Sequence, residues 1–450
     1  MSKSQDYKGL AIGVGVGLVA YFLSTLVFSS LQASLLGIIA FLVVLWTNEA
    51  LPLAVVSLLP IVLFPAFGIL GTKAVTVNYA NPIIYLFLGG FLIAIAVEKI
   101  KLHIFIADKL LSLFPSTPRA MIFSLALTSG LLSSILSNTT TTLLLISIVL
   151  FITDNPKLKM RFALAIAYGA SVGGVLTPIG TPPNLILLGI MEEHSMEAIP
   201  FFQWVMLVAP LSFAMLFVVS GLLSIGVGDI KVQRYVEVDK LNSEQKKVMY
   251  LVLGLIVTLF VNAPIKPFWG GLGLNETAIL LSFGLVLFFP PFKILEWDID
   301  SKKIPFAIMM LFGAGFSIAK AFSSIGLADE IASYLVSMTT LSPVLLLFLV
   351  AFMITFTTEI TSNTALISIM LPVIYSVAEQ TGINTTLFMM VATICASYAF
   401  MLPIATPPNA IAMSSGVVNV KDMIRYGIFL NLAGIFLVVM IAEFFWKAYF

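Results

Sequence analysis

The chain alternates long apolar runs with short polar segments from Lys8 to its C-terminal end. A helix needs roughly 20 residues to cross the ~30 Å hydrocarbon layer of a bilayer, and the runs approach or exceed that length. The pattern predicts an all-α integral membrane protein. About eleven crossings are expected, near residues 9–28, 31–48, 51–69, 82–98, 162–190, 203–226, 248–262, 276–291, 304–322, 388–413 and 427–446.

Two further apolar segments, 120–151 and 344–378, carry polar clusters at their centres. The clusters are Ser-Asn-Thr at 137–139 and Ser-Asn-Thr at 362–364. Polar side chains at mid-depth are costly against lipid, so we interpret both segments as re-entrant hairpins whose tips lie inside protein or line a cavity. An ordinary crossing helix that packs small polar residues against a neighbour is the alternative.

The two halves of the chain share motifs at one constant spacing. Four pairs of matching segments are each separated by 225 positions: Phe64-Pro65 and Phe289-Pro290, Gly90-Phe91 and Gly315-Phe316, Ser137-Asn138-Thr139 and Ser362-Asn363-Thr364, Thr181-Pro182-Pro183-Asn184 and Thr406-Pro407-Pro408-Asn409. One matched tripeptide in an apolar chain would mean little. Four matches at one offset indicate an internal duplication, which many carriers contain.

The duplication predicts the domain organisation. We expect a leading helix at 1–29, a first repeat at 30–226, a cytoplasmic connector at 227–247 and a second repeat at 248–450. Each repeat holds one hairpin and five crossings. Because five is odd, the second repeat is predicted to be inverted relative to the first.

The placement of basic residues supports this topology, because short cytoplasmic loops collect lysine and arginine. With a cytoplasmic N-terminus, all but four of the 23 basic residues fall on the cytoplasmic side; the exceptions are Lys73, Lys266, Lys320 and Lys447. Turning one hairpin into a crossing would reverse the loops after it and remove the bias. We therefore predict a multi-pass protein of the cell inner (plasma) membrane with an extracytoplasmic C-terminus.

The composition narrows the function. The 450 residues are 60% hydrophobic and 10% charged with a net charge of +1, which leaves no basic surface for nucleic acid. Cys395, His103 and His194 do not form a metal-ligating pattern, and His103 is interpreted as a solvated or interfacial residue at a helix end. No duplicated motif contains a nucleophile with a base, so the sequence does not predict an enzyme.

A second duplicated motif interrupts a predicted helix in each half. Prolines at 178, 182 and 183, and again at 403, 407 and 408, carry no amide donor and disfavour helical geometry in the preceding residue. Carbonyls near Gly180 and Ala405 are therefore expected to lack helical partners. A proline kink that serves packing alone is the alternative.

Free carbonyls beside hydroxyl and amide oxygens can replace the hydration shell of a small hard cation. The sequence predicts two such sites with equivalent ligands in the two halves. Cation site 1 comprises Ser133, Ser137, Asn138 and the backbone near Gly180, and cation site 2 comprises Thr358, Ser362, Asn363 and the backbone near Ala405. All these ligands are neutral, which favours a monovalent ion such as Na⁺, whereas Ca²⁺ or Mg²⁺ needs carboxylates.

Glu359 is the carboxylate nearest to these ligands in the sequence. We interpret it as a side chain that snorkels to the outer interface, where water solvates its charge. The alternative is that Glu359 faces a cation or a proton inside the membrane.

The same motifs predict a binding site for an anion. The candidate residues offer amide or hydroxyl donors, or begin a helix after a break: Asn138, Thr139, Thr181, Pro182, Asn363, Thr364, Thr406 and Pro407. Helix N-termini attract anions through unpaired amides and the positive end of the helix dipole, so no Lys or Arg is needed. Two equivalent sites facing one cavity suit a molecule with an anionic group at each end, and a C4 dicarboxylate is the simplest such shape.

At the paired Ser-Asn-Thr and Thr-Pro-Pro-Asn segments the chain resembles the divalent-anion/sodium symporter family, over nearly all of residues 30–450. The resemblance implies a homodimer in which a transport domain moves against a fixed scaffold. It also implies Na⁺ at the two cation sites and carboxylate recognition by the Asn-Thr pairs. The expected function is secondary active transport by an elevator mechanism, with Na⁺-coupled symport of succinate, malate or fumarate into the cell.

Within that resemblance, sodium-independent dicarboxylate exchange and sodium-coupled transport of citrate or sulfate are alternatives. A channel would also need a polar pathway, but it gives no reason to duplicate closed tips beside broken helices. Saturable uptake would distinguish a carrier from a channel.

Overall fold

The structure is a computed structural model that describes residues 3–48, 50–228, 232, 240–264, 268–337 and 342–450. Residues 229–231 and 233–239 of the predicted connector at 227–247 lie outside the described residues, and so does Lys266, one of the basic residues predicted outside. Within the described ranges the regular elements are α-helices and short 3-10 helices, which confirms the predicted all-α fold.

The first half of the chain forms helices α1 to α11. Their bounds are α1 Lys3–Ser24, α2 Ser30–Asn48, α3 Leu53–Ala66, α4 Thr72–Thr76, α5 Pro82–Lys99, α6 Leu102–Ser112, α7 Pro118–Ser133, α8 Asn138–Ile152, α9 Pro156–Gly174, α10 Pro182–Glu193 and α11 Phe201–Ser224.

The second half forms helices α12 to α21. Their bounds are α12 Ser243–Asn262, α13 Glu276–Leu285, α14 Trp297–Asp300, α15 Phe306–Ser324, α16 Leu327–Ser337, α17 Pro343–Thr357, α18 Asn363–Thr381, α19 Thr385–Ser397, α20 Pro407–Ser414 and α21 Val420–Phe444. Helices α6, α7, α8 and α10 begin 225 positions before α16, α17, α18 and α20 respectively. The duplication in the sequence is therefore also a duplication of helices.

Seven helices of the described residues are long and apolar enough to cross a membrane; they span 7–24, 30–48, 72–99, 201–224, 306–324, 363–381 and 420–448. One of the seven, 363–381, belongs to the segment predicted as the second hairpin. The predicted crossings outside these seven are also helical but shorter or more polar. Those at 162–190 and 388–413 are interrupted, giving α9 with α10 and α19 with α20. The helix breaks predicted from the prolines are present in both halves.

Helices of each repeat pack against helices of the other repeat in equivalent pairs. Helix α5 packs against α13 of the second repeat, and α15, the counterpart of α5, packs against α3 of the first repeat. At the first of these crossings Gly89 lies against the backbone of Leu280, and Gly284 lies against the carbonyl of Gly89. Small residues let helix backbones approach closely in membranes. Neither repeat is therefore a separate packing unit.

Close packing also fixes the first hairpin against the first broken helix. A Cβ added to Gly173 of α9 would collide with the backbone of Gly130 of α7, and one added to Gly169 would collide with that of Ala126. The absence of a side chain at these positions lets α7 and α9 lie in backbone contact. The end of α7 is thereby held beside the end of α9.

The sequence analysis did not predict helices α6 and α16, because each has only 11 residues and is too short to cross a bilayer. Lys101, with φ of 58°, is a left-handed residue that ends the turn from α5 and precedes α6. His103 therefore lies against the end of α5, with 6% of its surface exposed and Nδ1 3.2 Å from the Val97 carbonyl oxygen. The expectation of a solvated His103 is wrong.

Candidate functional site

Both segments predicted as hairpins are helix–turn–helix units. In the first, α7 ends at Ser133 and α8 begins at Asn138. In the second, α17 ends at Thr357 and α18 begins at Asn363. The Ser-Asn-Thr segments thus form the turn and the first residues of the second arm in each unit. At the start of a helix the first backbone N–H groups have no partner within the helix, and the side-chain oxygens of Ser, Asn and Thr can accept from them.

A hydroxyl and an amide meet at each tip. The Ser133 hydroxyl donates to Asn138 Oδ1 at 2.5 Å, and in the second half the Thr358 hydroxyl donates to Asn363 Oδ1 at 2.6 Å. The hydroxyl residues are fully buried in both halves. Two predicted ligands of each cation site are therefore in direct contact, with their oxygens side by side.

The next hydroxyl of each predicted cation site behaves differently in the two halves. Ser137 caps α8: its Oγ accepts from the Thr140 amide at 3.1 Å and donates to the Thr140 hydroxyl at 2.9 Å. Ser362 stands at the same position before α18 and makes no capping bond with its side chain. The Ser362 hydroxyl therefore has no competing capping bond, whereas the Ser137 hydroxyl is engaged in its cap.

The breaks free the carbonyls that the sequence analysis singled out. In a continuous helix the amide of Asn184 would donate to Gly180, but it donates to the Thr181 carbonyl at 3.2 Å instead. The amide of Asn409 would donate to Ala405, but it donates to the Thr406 hydroxyl at 3.4 Å. Since Pro182, Pro183 and their counterparts have no N–H, the breaks leave carbonyl oxygens available for another partner.

The tips and the breaks of both halves line one cavity of about 1180 Å³. All eight residues predicted to bind cargo line it: Asn138, Thr139, Thr181, Pro182, Asn363, Thr364, Thr406 and Pro407. Six of the predicted cation ligands line it as well: Ser137, Asn138, Gly180, Ser362, Asn363 and Ala405. Ser133 and Thr358 lie buried behind the tips. The fold thus gathers predicted site residues from both halves of the chain around one cavity.

Four helix N-termini point at this cavity. The residues that precede α8, α10, α18 and α20 are Ser137, Thr181, Ser362 and Thr406, and all four line the cavity. Each N-terminus contributes roughly half a positive charge. Sequence reasoning identified the two that follow the breaks but not those of the hairpin arms. The signal was present, because Ser before an apolar run is a typical N-cap.

The rest of the cavity wall was not predicted. It comes from the segment joining α2 to α3 and from apolar side chains of α5 and α15, including Phe87, Phe91 and Leu311. Among the described lining residues none carries a charged side chain. Among the described lining residues, helix ends and polar side chains are the groups that can balance a bound charge.

Glu359 does not reach the interface, so the preferred interpretation of it as a snorkelling side chain is wrong. Only 3% of its surface is exposed. Its Oε1 accepts from the amides of Phe400 at 2.8 Å and Met401 at 2.9 Å, and its Oε2 accepts from Leu402 at 2.9 Å. Asn431 Nδ2 adds a fourth bond, at 2.6 Å to Oε1. The carboxylate thus satisfies the amides that the second break exposes.

The first half has no carboxylate at the equivalent position. Ser134 stands 225 positions before Glu359, and its carbonyl accepts from the Thr177 hydroxyl at 2.5 Å. A neutral bond therefore ties the first tip to the first break, whereas a charged group ties the second tip to the second break. Sequence alone could not find this, because the partners of Glu359 are backbone amides about 40 positions away.

Comparison with known proteins agrees with this architecture. The citrate transporter family model matches residues 41–383 and 277–450. A sodium-dependent dicarboxylate transporter of Staphylococcus aureus is 31% identical, over 98% of this chain and 92% of the relative. The protein of the same description from Staphylococcus saprophyticus is 29% identical, over 98% and 93%. The YdaH transporter of Alcanivorax borkumensis shares the fold, with a TM-score of 0.57 and 16% identity over 83% of this chain and 88% of that one.

A membrane transporter is the class of protein that the duplicated helices and the shared cavity define. The chain belongs to the divalent-anion/sodium symporter family, to which the citrate transporter model and the sodium-dependent dicarboxylate transporters point together. The resemblance stated from the paired motifs is thereby confirmed.

Proposed function

We propose that this protein is a secondary active transporter that couples the inward flow of Na⁺ to uptake of C4 dicarboxylates such as succinate, malate and fumarate. The observation that carries the proposal is the convergence of four helix N-termini on one cavity whose described lining has no charged side chain. Two N-termini belong to each half. A molecule with a carboxylate at each end can bring one charge to each pair.

In the proposed binding mode, the tips supply the directional contacts. Asn138 and Thr139 bind one carboxylate, and Asn363 and Thr364 bind the other, through amide and hydroxyl donors. Thr181 with Pro182, and Thr406 with Pro407, begin the helices that add the positive ends of two dipoles. Because these donors are neutral, the anion is held firmly only when cations neutralise part of its charge, which couples cargo binding to Na⁺.

Sodium fits the donor sets of both cation sites. Each combines a buried hydroxyl, an amide oxygen and a carbonyl released by a broken helix, and all three groups are neutral oxygen ligands. At cation site 1 these are Ser133, Asn138 and Gly180, with Ser137 as a fourth. At cation site 2 they are Thr358, Asn363 and Ala405, with Ser362 as a fourth.

We further propose an inverted arrangement of the two repeats, a homodimer in the cell inner (plasma) membrane, a cytoplasmic N-terminus and an extracytoplasmic C-terminus. The bias in basic residues and the odd number of predicted crossings support the orientation. Movement of a transport domain against a scaffold, the elevator mechanism, rests on the family resemblance.

Citrate is the second candidate cargo, because the matching family model is described as a citrate transporter. Competition against radiolabelled succinate in proteoliposomes with an inward Na⁺ gradient tests the choice. We expect unlabelled succinate, malate and fumarate to compete at similar concentrations, and citrate and sulfate to compete weakly. Stronger competition by citrate than by succinate would assign citrate as the cargo.

A further inference from the structure

The asparagine that ends each Thr-Pro-Pro-Asn segment folds back onto the break before it. Asn184 and Asn409 have no exposed surface. Asn184 Nδ2 donates to the Thr177 carbonyl at 2.9 Å. Asn409 Nδ2 donates to the carbonyls of Leu402 and Ala399, both at 3.0 Å. Both amides thus bind a carbonyl of the interrupted stretch, Thr177 or Leu402, that also accepts a turn bond from the amide three residues later, that of Gly180 or Ala405.

The two halves use the same register. Thr177 and Leu402 are 225 positions apart, and so are Gly174 and Ala399, whose carbonyls accept the second contact of each amide. In the first half that second contact is long, at 3.5 Å from Asn184 Nδ2 to the Gly174 carbonyl. The asparagines at the two duplicated positions make the same hydrogen bonds, although the residues that supply the carbonyls differ between the halves.

Each of these amides leaves its own oxygen without a hydrogen-bond partner. Asn184 Oδ1 and Asn409 Oδ1 are both buried and unpaired among the described residues. A buried unpaired acceptor costs about 1–3 kcal/mol. The same cost is tolerated at the same position in both halves, so the orientation of the amide is set by what its Nδ2 holds.

The backbone stretch that Nδ2 binds is also the surface on which the predicted cation ligands pack. In the first half, a Cβ added to Gly174 would lie 2.8 Å from Asn138 Oδ1, so the amide of Asn138 packs directly on this residue. The backbone of Gly180 also lies against the Gly174 carbonyl. Two predicted ligands of cation site 1, Asn138 and Gly180, therefore share Gly174 as a support. Asn184 holds the same stretch mainly through the Thr177 carbonyl, which also accepts from the Gly180 amide at 3.2 Å.

In the second half, two side chains hold the stretch between α19 and α20 in place. Glu359 binds the amides of residues 400–402, and Asn409 binds the carbonyls of Ala399 and Leu402. Both the backbone donors and the backbone acceptors of this stretch are therefore hydrogen-bonded to side chains. Its position determines where the Ala405 carbonyl lies relative to the amide of Asn363.

We propose that Asn184 and Asn409 are positioning residues for Na⁺, each fixing the released carbonyl of its own cation site without touching the ion. The inference rests on the proposed sodium-coupled function and adds to it a residue in each half that sets cation affinity. Residues that orient metal ligands typically change affinity 10–100-fold when replaced.

The test replaces each asparagine singly, as Asn184→Leu and Asn409→Leu, which keeps the volume and removes the donor. Asn262→Leu is the matched control, because Asn262 is also buried and its Nδ2 also donates to a backbone carbonyl, that of Leu274 at 3.0 Å, but it does not line the cavity. Two quantities are measured on purified protein: the rise in unfolding temperature with NaCl against choline chloride, without cargo, and the Na⁺ concentration for half-maximal succinate uptake.

We expect the half-maximal Na⁺ concentration to rise at least about tenfold in both test variants. The KM for succinate at saturating Na⁺ should change less than about twofold, and Asn262→Leu should leave the Na⁺ dependence unchanged. If both test variants are folded and respond to Na⁺ as the unmodified protein does, the positioning role is overturned. If a Leu variant does not fold, Asn184→Ala or Asn409→Ala, which also removes the donor, decides by the same criterion.

Failure of the proposed function gives a different pattern. In that case the unmodified protein itself gains no stability from Na⁺ and takes up succinate equally well in choline. The positioning role of the two asparagines is rejected only when the unmodified protein responds to Na⁺ and the variants respond in the same way.

Discussion

The hydroxyl of Thr358 donates to the Oδ1 atom of Asn363 at 2.6 Å. A hydroxyl hydrogen can rotate, so both oxygens can turn toward a cation while the heavy atoms stay in place. The Thr358 hydroxyl also lies 2.9 Å from the Ala396 carbonyl, which offers its hydrogen a second acceptor. In the proposed cation site 2, the pair would therefore exchange this hydrogen bond for contact with an ion.

Removing the hydroxyls of Thr358 and Ser133 should weaken Na⁺ binding and leave succinate binding unchanged. Thr358→Val keeps the shape and Ser133→Ala removes one atom, and each loses a ligand worth about 1.5–3 kcal/mol toward a charge. We expect the half-maximal Na⁺ concentration for succinate uptake to rise about tenfold or more in each variant. Thr393→Val is the control, because its buried hydroxyl only donates to Met389 one turn earlier. An unchanged Na⁺ dependence in both test variants would remove the hydroxyls from the cation sites.

Changing the amides should affect cargo and cation in opposite directions. In Asn138→Asp or Asn363→Asp the donor is lost and a negative charge faces the anion, so succinate uptake should fall more than about tenfold. Na⁺ should bind at least as tightly as before, since a carboxylate is a better ligand for a hard cation than an amide. Asn155→Asp, at the N-cap of α9, is the control. Unchanged uptake in both tip variants would withdraw the cargo assignment.

Glu359 should be a stabilising residue of the second half. Glu359→Gln places an amide nitrogen against backbone N–H groups, and the free energy of unfolding should fall by about 1.5–3 kcal/mol. Ser134→Ala, the same position in the first half, loses only a bond to the Leu131 carbonyl and should change stability by less than about 1 kcal/mol. Chemical unfolding in detergent measures both. Equal effects would mean that the four bonds to Glu359 do not stabilise the break.

The bases of the two hairpins should face opposite sides of the membrane. Thr117 and Ser342 precede α7 and α17, are 225 positions apart and are both exposed. Cysteines placed there, in a background with Cys395 replaced by Ala, should react with a membrane-impermeant maleimide from opposite faces of oriented vesicles. Reaction of both from one face would contradict the inverted repeats. The tips themselves are less suitable, since Thr139 and Thr364 line the same cavity.

The fold was largely predictable because its two determinants are local. Apolar runs of helical length specify the crossings, and the constant offset of 225 positions aligns their breaks and tips. Prolines at 182 and 407 begin helices where expected, because each lacks the donor that a continuous helix needs. These signals are read from single segments, without knowledge of what packs against them.

What the sequence did not predict depends on contacts between distant segments. Glu359 is buried because three amides from the second break reach it, and nothing near position 359 records their presence. His103 is buried because the turn at Lys101 places the start of α6 against the end of α5. Asn184 and Asn409 were noted only as parts of a matched motif, since their task appears when the break folds back on them.

The central claim is that Na⁺ and a dicarboxylate bind together and move together through this protein. The most direct measurement is uptake of radiolabelled succinate into proteoliposomes, with an inward Na⁺ gradient, with choline replacing Na⁺, and with internal succinate but no Na⁺. The account predicts saturable accumulation above the external concentration only in the first condition, and its abolition by an ionophore that dissipates the Na⁺ gradient. Equal uptake in choline, or uptake that depends on internal succinate alone, would contradict sodium coupling.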